Sequence, residues 1–361
     1  MANRRKLAFD DVAYIIPSDI LFLILIRVPS VKSLLRFKSV SKPWNATISD
    51  NEFKRTHRDQ SKALGREKLL VHKRSTNEFE FRDLETSRLV RMAKEIFPPE
   101  KFRKAIVLCS GDGLLLLKNP KAYKIYILWN PSTGDYKTLR CPYFNKNRQV
   151  PNACGLCYDS SVDDYKVIFI YKSSYAIYSL NNDCWTEKAI SLRVVVTLLQ
   201  NCCLSGGISI RGCVFWPYYS HYVVRNSTII YFDGTSDELK QLPLPNFVGV
   251  NDWFRVTSLK SCLCLYGGNK ESLALDIWIM ERDGWKLLLN MSKLRAICKT
   301  FIESKVLLCC TRNGEILFRG CGRCGLFIYY PRTQVLREAN ISKVYSRNQN
   351  FPLISTCLES L

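Results

Sequence analysis

Ile127-Leu-Trp-Asn130-Pro-Ser-Thr-Gly-Asp-Tyr-Lys-Thr-Leu139 reads as an apolar strand, a polar turn and a second strand. Asn130-Pro131 and Thr133-Gly134 give the tight turn of a hairpin, and in later copies Asp233-Gly234 and Asp283-Gly284 supply residues that tolerate positive φ. The unit recurs. Phe79-Glu-Phe-Arg-Asp83-Leu-Glu-Thr-Ser-Arg-Leu precedes it, and Ile177-Tyr-Ser-Leu180-Asn-Asn-Asp-Cys-Trp and Ile230-Tyr-Phe-Asp233-Gly-Thr-Ser-Asp-Glu-Leu follow it. Ile277-Trp-Ile-Met280-Glu-Arg-Asp-Gly-Trp and Ile328-Tyr-Tyr-Pro331-Arg-Thr-Gln-Val-Leu complete the series. Positions 83, 130, 180, 233, 280 and 331 are 47, 50, 53, 47 and 51 apart. A step of about 50 residues matches a kelch-type propeller blade. Further apolar strands lie ahead of the hairpins, as in Gly111-Asp-Gly-Leu-Leu-Leu-Leu, Gly212-Cys-Val-Phe-Trp216 and Cys262-Leu-Cys-Leu-Tyr266. Four strands per step fit a blade, so six hairpins predict an all-β domain over 61–361 built as a six-bladed β-propeller. The tail Phe351-Pro-Leu-Ile-Ser-Thr-Cys is predicted to close the ring on the first blade, removing an exposed sheet edge. A β-sandwich with long insertions is the rival, and it would not generate such a repeat.

The sixty residues before this domain read differently. Ile16-Pro17-Ser18-Asp19 is a helix-start signal. Ile20, Leu21, Ile24, Leu25 and Val28 then share one helical face, and Pro29-Ser30 ends the helix. Val31–Val40 reads as a second short helix, and Ser41-Lys42-Pro43-Trp44 starts a third that runs through Ile48. Three short helices bury little surface by themselves. Phe22, Leu23 and Ile26 lie off the first apolar face, so that helix needs a partner on its second side. Residues 1–14, with Arg4-Arg5-Lys6, read as a flexible basic N-terminus.

Three segments of this region together resemble an F-box of the plant type. They are Ile16-Pro-Ser-Asp-Ile-Leu-Phe-Leu-Ile-Leu-Ile-Arg-Val-Pro29, Val31-Lys-Ser-Leu-Leu-Arg-Phe-Lys-Ser-Val-Ser-Lys-Pro-Trp44, and Ile48-Ser-Asp-Asn-Glu-Phe53 with His57. Ile16 and Val28 stand where the family usually has Leu, and Leu23 where it often has Glu. The first two changes conserve volume and shape. The resemblance implies an F-box of small α-helices over 15–60 that docks a Skp-type adaptor, and through it the cullin and RING subunits of a ubiquitin ligase. By that analogy Pro17, Ile20, Leu21, Ile24, Leu25, Pro29, Leu34, Leu35, Val40 and Trp44 build or line the adaptor contact. Trp129-Asn-Pro-Ser-Thr-Gly-Asp-Tyr136 and Gly155-Leu-Cys-Tyr-Asp-Ser-Ser-Val-Asp-Asp-Tyr-Lys-Val167 are similar to the F-box-associated domain found behind plant F-boxes. The glycine and tryptophan positions do not form the strict kelch signature, so the domain is kelch-like.

Composition bounds the rest. The 361 residues hold 53 Lys plus Arg against 32 Asp plus Glu, a formal charge of +21. At 47% hydrophobic the chain can build a core. No apolar run reaches the roughly 18 residues needed to span a bilayer, and no secretory signal opens the chain. A soluble protein of the cytoplasm or nucleus is expected. The 16 Cys are scattered, many in apolar runs, and read as reduced core residues. Cys154/Cys157 and Cys321/Cys324 form two CxxC pairs, but they lie too far apart for a compact zinc ribbon and occupy matching places in the repeat. No metal or cofactor is expected. HExxH, GxSxG and GxxxxGK[ST] motifs are absent, which leans against catalysis. Asp163-Asp164 could pair as acid and base, but a polar turn between strands fits them better. Basic residues concentrate over 54–104, among them Arg55, Arg58 and Lys62. This stretch reads as a solvated face or as an attractor of an acidic partner.

These readings converge on a non-catalytic substrate receptor of a ubiquitin ligase, with helices that hold the ligase and a propeller that holds an unidentified, acidic target protein. Tyr143, Phe144, Tyr218 and Tyr219 are candidates for the target face, with inter-blade packing as their other reading. A basic propeller that binds nucleic acid or another acidic ligand is the alternative, although no nucleic-acid module is recognisable. A propeller enzyme with a channel site is a further class, and it would need convergent carboxylates or His that the sequence does not show.

Overall fold

Four helices open the computed structural model, the last three with side-chain caps and the first with Pro17 at its N-cap position and no capping side chain. It describes residues 16–361 apart from 74–77, 84–88, 91–101, 103–104, 120–123, 144–150, 191–204, 219–227, 246–247, 249–251, 270–274, 292–305, 312, 320–325, 339–352 and 359–360. Helix α1 spans Ser18–Leu25, with Asp19 in its first turn, where a negative charge offsets the helix dipole. Helix α2 is Val31–Phe37, capped by Ser30, and α3 is Lys42–Ser49, capped by Ser41 with proline in its first turn. The fourth helix, α4 (Asn51–Ala63), was not foreseen in the sequence. Asp50 caps it, accepting from the Glu52 and Phe53 amides at 2.8 and 3.2 Å. Its face carries few apolar residues, so hydrophobic periodicity could not reveal it.

The helices share one core of Leu21, Leu25, Ile26, Leu34, Ile48 and Phe53. Phe22 meets Phe53 edge-on at 5.3 Å, and Phe37 meets Trp44 at 5.4 Å. His57 is buried, with Nε2 2.9 Å from the Val28 carbonyl, and so ties α4 back to the end of α1. Leu361, the last residue of the chain, packs on this cluster.

The rest of the described chain is strand. The first sheet holds β1 (Glu67–Lys73), β2 (Glu78–Asp83) and β3 (Leu89–Val90). The second holds β4 (Ile106–Gly111), β5 (Leu114–Lys118), β6 (Ile125–Trp129) and β7 (Tyr136–Arg140). The third holds β8 (Ala153–Asp159), β9 (Asp164–Ile170), β10 (Ser174–Ser179) and β11 (Cys184–Ala189), joined by the short β12 (Ser205–Gly206). The fourth holds β13 (Ile208–Ile210), β14 (Cys213–Tyr218), β15 (Thr228–Asp233) and β16 (Glu238–Leu242). The fifth holds β17 (Asp252–Leu259), β18 (Cys262–Asn269), β19 (Asp276–Glu281) and β20 (Gly284–Asn290). The sixth holds β21 (Val306–Cys310), β22 (Ile316–Arg319), β23 (Leu326–Tyr330) and β24 (Val335–Glu338). Each hairpin singled out in the sequence forms the outer strand pair of one sheet.

The tail strand β25 (Leu353–Leu358) pairs antiparallel with β1, from Glu67↔Leu358 to His72↔Leu353, and so completes the first sheet from the other end of the chain. Innermost strands touch in a cycle: β4 with β8, β8 with β13, β13 with β17, β17 with β21, β21 with β25, and β25 with β4. This is a β-propeller.

Five of the sheets have four strands; the third has five and departs from the expected four per step. The extra strand β12 pairs parallel with β8 at Ala153–Cys154 and squeezes in beside β4. Only glycine fits there, because a Cβ on Gly206 would run into the Leu108 carbonyl.

Core side chains lie between sheets rather than in one centre. Leu116, Tyr126 and Leu128 of the second sheet pack on Val167, Phe169 and Tyr178 of the third. Cys154 belongs to this cluster, whereas Cys157 belongs to the cluster between the third and fourth sheets. Three positions apart on a strand, the two thiols point to opposite faces and cannot share a metal. Cys321 and Cys324 lie outside the described residues. No helix among the described residues is long and apolar enough to cross a membrane.

Candidate adaptor and target surfaces

Helix α1 divides its apolar residues between two sides. Leu21 and Leu25 point into the helical core at 1% and 0% exposure. Ile20, Leu23 and Ile24 face out at 44%, 52% and 49%, with Ile16 and Val40 also exposed. Of the residues assigned to the adaptor by resemblance, Pro17, Ile20, Ile24, Pro29 and Val40 are exposed, and Leu35 and Trp44 are half-buried. Leu21, Leu25 and Leu34 are buried, and they hold the surface from beneath. Leu23 and Ile16 join the outward strip, although the resemblance did not select them.

Helix α4 lies against the propeller through cations spaced three and four residues apart, which places them on one helical face. Arg55 pairs with Asp163 at 3.6 Å, and Lys62 pairs with Asp112. Arg58 between them is buried. Its guanidinium carbon sits 3.7 Å from the centre of the Tyr158 ring, and Nη1 donates to the Tyr165 hydroxyl at 3.3 Å. Tyr165 in turn donates to the Asp112 carbonyl at 3.4 Å, and Tyr158 donates to Asp163. Burial alone would lower the Arg58 pKa, but Tyr165 and Asp112 beside it raise it overall. Burial, with Asp112 nearby, pushes the Tyr165 phenol up to about 12.

This arrangement corrects two expectations. Asp163-Asp164 is neither an acid–base pair nor a merely solvated turn: Asp163 holds Arg55, and Asp164 accepts from the Ser179 hydroxyl and, at 2.9 Å, from the Asn181 amide. The basic junction is not simply an outward face either, because Arg55, Arg58 and Lys62 turn inward onto the ring. The charges are visible in the sequence, but Asp112, Tyr158 and Tyr165 lie 50 to 107 positions from their partners (112 − 62 and 165 − 58), a separation that no local pattern bridges.

The turns that meet α4, at Asp112 between β4 and β5 and at Asp163 between β8 and β9, join the first and second strands of the second and third sheets. Strand direction alternates, so the outgoing ends of the second and fourth strands lie at the opposite rim. Tyr143 follows β7 and Tyr218 ends β14, which places both at that far rim. Tyr143 is half-buried and donates to the Trp185 carbonyl at 3.2 Å, so its hydroxyl is already engaged within the ring. Phe144, Tyr219 and the Tyr218 side chain lie outside the described residues.

A cavity of about 380 Å³ runs along the axis between β4, β13, β17 and β21. Lys62 and Glu67 reach into it from the helical side, with Asp112 and Arg211. Burial pushes the Glu67 carboxyl up, and Lys62 partly offsets this. No group of three or more metal-ligating side chains occurs among the described residues.

Two family models match the chain. One, described as an F-box domain, covers residues 15–56; the other, an F-box associated beta propeller domain, covers residues 78–361. Among similar proteins, an F-box/kelch-repeat protein of Arabidopsis thaliana is 27% identical, the match covering 93% of this chain and 96% of the relative. An F-box protein of the same plant is 24% identical, covering 82% and 92%.

Proposed function

Because the chain belongs to the F-box proteins with an associated β-propeller domain, we propose that it is the substrate-recognition subunit of an SCF-type ubiquitin ligase. The outward strip of Ile20, Leu23 and Ile24 on α1 carries this reading, since an apolar helix face left exposed among the described residues fits a partner groove. The F-box docks a Skp-type adaptor, which brings the cullin and RING subunits, in the cytoplasm or nucleus. The six sheets act as the blades of one ring, and its far rim, away from α4, takes the target protein. The subunit performs no chemistry: it holds target lysines near the ubiquitin-loaded enzyme, and proximity alone accelerates transfer. Binding of nucleic acid through the basic junction is disfavoured, because Arg58 and Lys62 are spent on contacts within the chain.

Co-purification with a Skp-type adaptor tests the proposal. Wild type retains the adaptor, and Ile20→Asp with Ile24→Asp loses it while keeping its circular dichroism spectrum. A wild-type chain that leaves the adaptor unbound sinks the reading.

A further inference from the structure

The contacts between α4 and the ring do more than bury surface. Arg55 and Lys62 engage turns of two adjacent sheets and Arg58 the strand ends of one of them, so α4 is held at more than one point. A helix held at a single point can swivel; one held at points along its length cannot. The network is also continuous: Arg55 to Asp163, Asp163 to Tyr158, Tyr158 under Arg58, Arg58 to Tyr165, and Tyr165 to the Asp112 backbone, whose carboxylate holds Lys62. Its central cation is desolvated, where a cation over an aromatic ring is worth most. The outer pair is solvent-exposed, at 42% and 37% for Arg55 and Asp163, and adds little energy alone. The tail gives a second tie, because β25 also contacts α4 and Leu361 sits in the helical core.

We propose that the Arg55–Arg58–Lys62 face of α4 is a positioning clamp that fixes the F-box helices in one orientation on the propeller. Resting on the receptor reading above, the clamp sets the direction and distance at which the ring presents a target to the ligase. It selects which target lysines come within reach without touching target or adaptor. A loose joint would let the ring sample many orientations and spread modification over many lysines; the clamped joint confines it.

Hydrogen exchange of the full chain, read by mass spectrometry, tests the clamp. Lys62→Asp places two carboxylates together, and exchange in residues 51–63 rises by about tenfold, as expected for coupling within one ionic network. Lys62→Asp combined with Asp112→Lys restores the pair in reverse and brings protection back towards wild type. Arg58→Ala raises exchange in the same segment, with residues 228–233 and 262–269, which lie outside the network, unchanged. Two results overturn the clamp: unchanged exchange over 51–63 in every variant, or a rise shared equally by all sheets, which would mean that the network serves global stability. Adaptor co-purification, measured in parallel, separates this from the receptor reading. Failure of wild type to retain the adaptor removes the receptor role and leaves the exchange result to stand on its own.

Discussion

The Arg58 guanidinium lies over the Tyr158 ring at 3.7 Å and joins the last helix of the F-box region to the third sheet of the ring. Alanine at 58 removes the cation–π contact and the hydrogen bond to Tyr165. The loss is about 1–3 kcal/mol, given about 2 for a desolvated cation–π pair and about 1 for a hydrogen bond. Lysine at 58 recovers only part of it, because an ammonium lacks the planar fork that stacks on a ring and donates sideways. Hydrogen-exchange protection of residues 51–63 measures this, and equal protection in Arg58→Ala and wild type would refute it.

Tyr165 makes the same interface sensitive to high pH. Its phenol is pushed up to about 12, from an ordinary value of 10.0, by burial first and by Asp112 second. The folded state therefore keeps the proton at pH values where the unfolded chain loses it. The stabilisation is complete below pH 10 and disappears as pH rises towards 12. Thermal melts between pH 8 and 11 should show wild type losing stability more steeply than Tyr165→Phe. Parallel curves would exclude Tyr165 as the titrating group.

The repeat and the first three helices were legible because they rest on local rules, although Pro17, not Ser18 or Asp19, stands at the N-cap of α1. Asn130 accepts from the Ser132 amide at 2.8 Å, and the Gly134 amide donates to the Asn130 carbonyl at 2.9 Å: the turn that Asn-Pro-Ser-Thr-Gly implied. The tail's closure of the first sheet was legible too, since a strand left over after six hairpins needs an edge to pair with. Three features were not. Helix α4 owes its stability to Phe53, His57 and cations that find partners on the ring, none of which produces an apolar period. The clamp joins residues whose proximity exists only in the folded chain. Strand β12 is two residues of small side chains, too short to register as a pattern.

On α1, adjacent positions should separate binding from folding. Ile24 is 49% exposed and Leu25 is 0% exposed. Ile24→Asp leaves the melting temperature nearly unchanged and abolishes adaptor binding. Leu25→Ala opens a cavity in a core of six buried residues and costs about 2–5 kcal/mol, so adaptor binding falls through unfolding. The comparison needs both a melt and a pull-down. If Leu25→Ala melts like wild type, Leu25 does not pack in the helical core.

Lys166 holds the third and fourth sheets together from inside. It donates to Asp159 at 2.9 Å, to Asp237 at 2.8 Å and to the Gly234 carbonyl at 2.6 Å. Burial alone would lower its pKa, but the two carboxylates raise it overall. Lys166→Ala leaves Asp159, 2% exposed, without its cation, and breaking a buried pair from one side costs about 3–5 kcal/mol. Replacing both Lys166 and Asp159 with apolar residues of similar volume should recover much of the loss, since no charge is then stranded. Equal destabilisation in the single and double variants would show that shape, not charge pairing, matters at this position.

Removal of residues 353–361 takes away β25 and Leu361 together. Six residue pairs between β25 and β1 disappear, from Glu67↔Leu358 to His72↔Leu353. At about 1 kcal/mol per hydrogen bond the ladder contributes several kcal/mol, a large share of the roughly 5–15 that holds a domain folded. The loss is not only one of number. Without β25 the cycle of innermost strands is broken between β21 and β4, and β1 presents unpaired backbone groups that invite edge-to-edge association. The helices lose Leu361 from their core at the same time. The truncated chain should therefore elute as oligomers, and its melt should broaden, because a broken ring unfolds sheet by sheet rather than as a unit. Leu361→Ala separates the two contributions: the ring stays closed and monomeric, and only the helical module is weakened. A truncated chain that stays monomeric and melts sharply at the wild-type temperature would show that the tail strand does not close the ring.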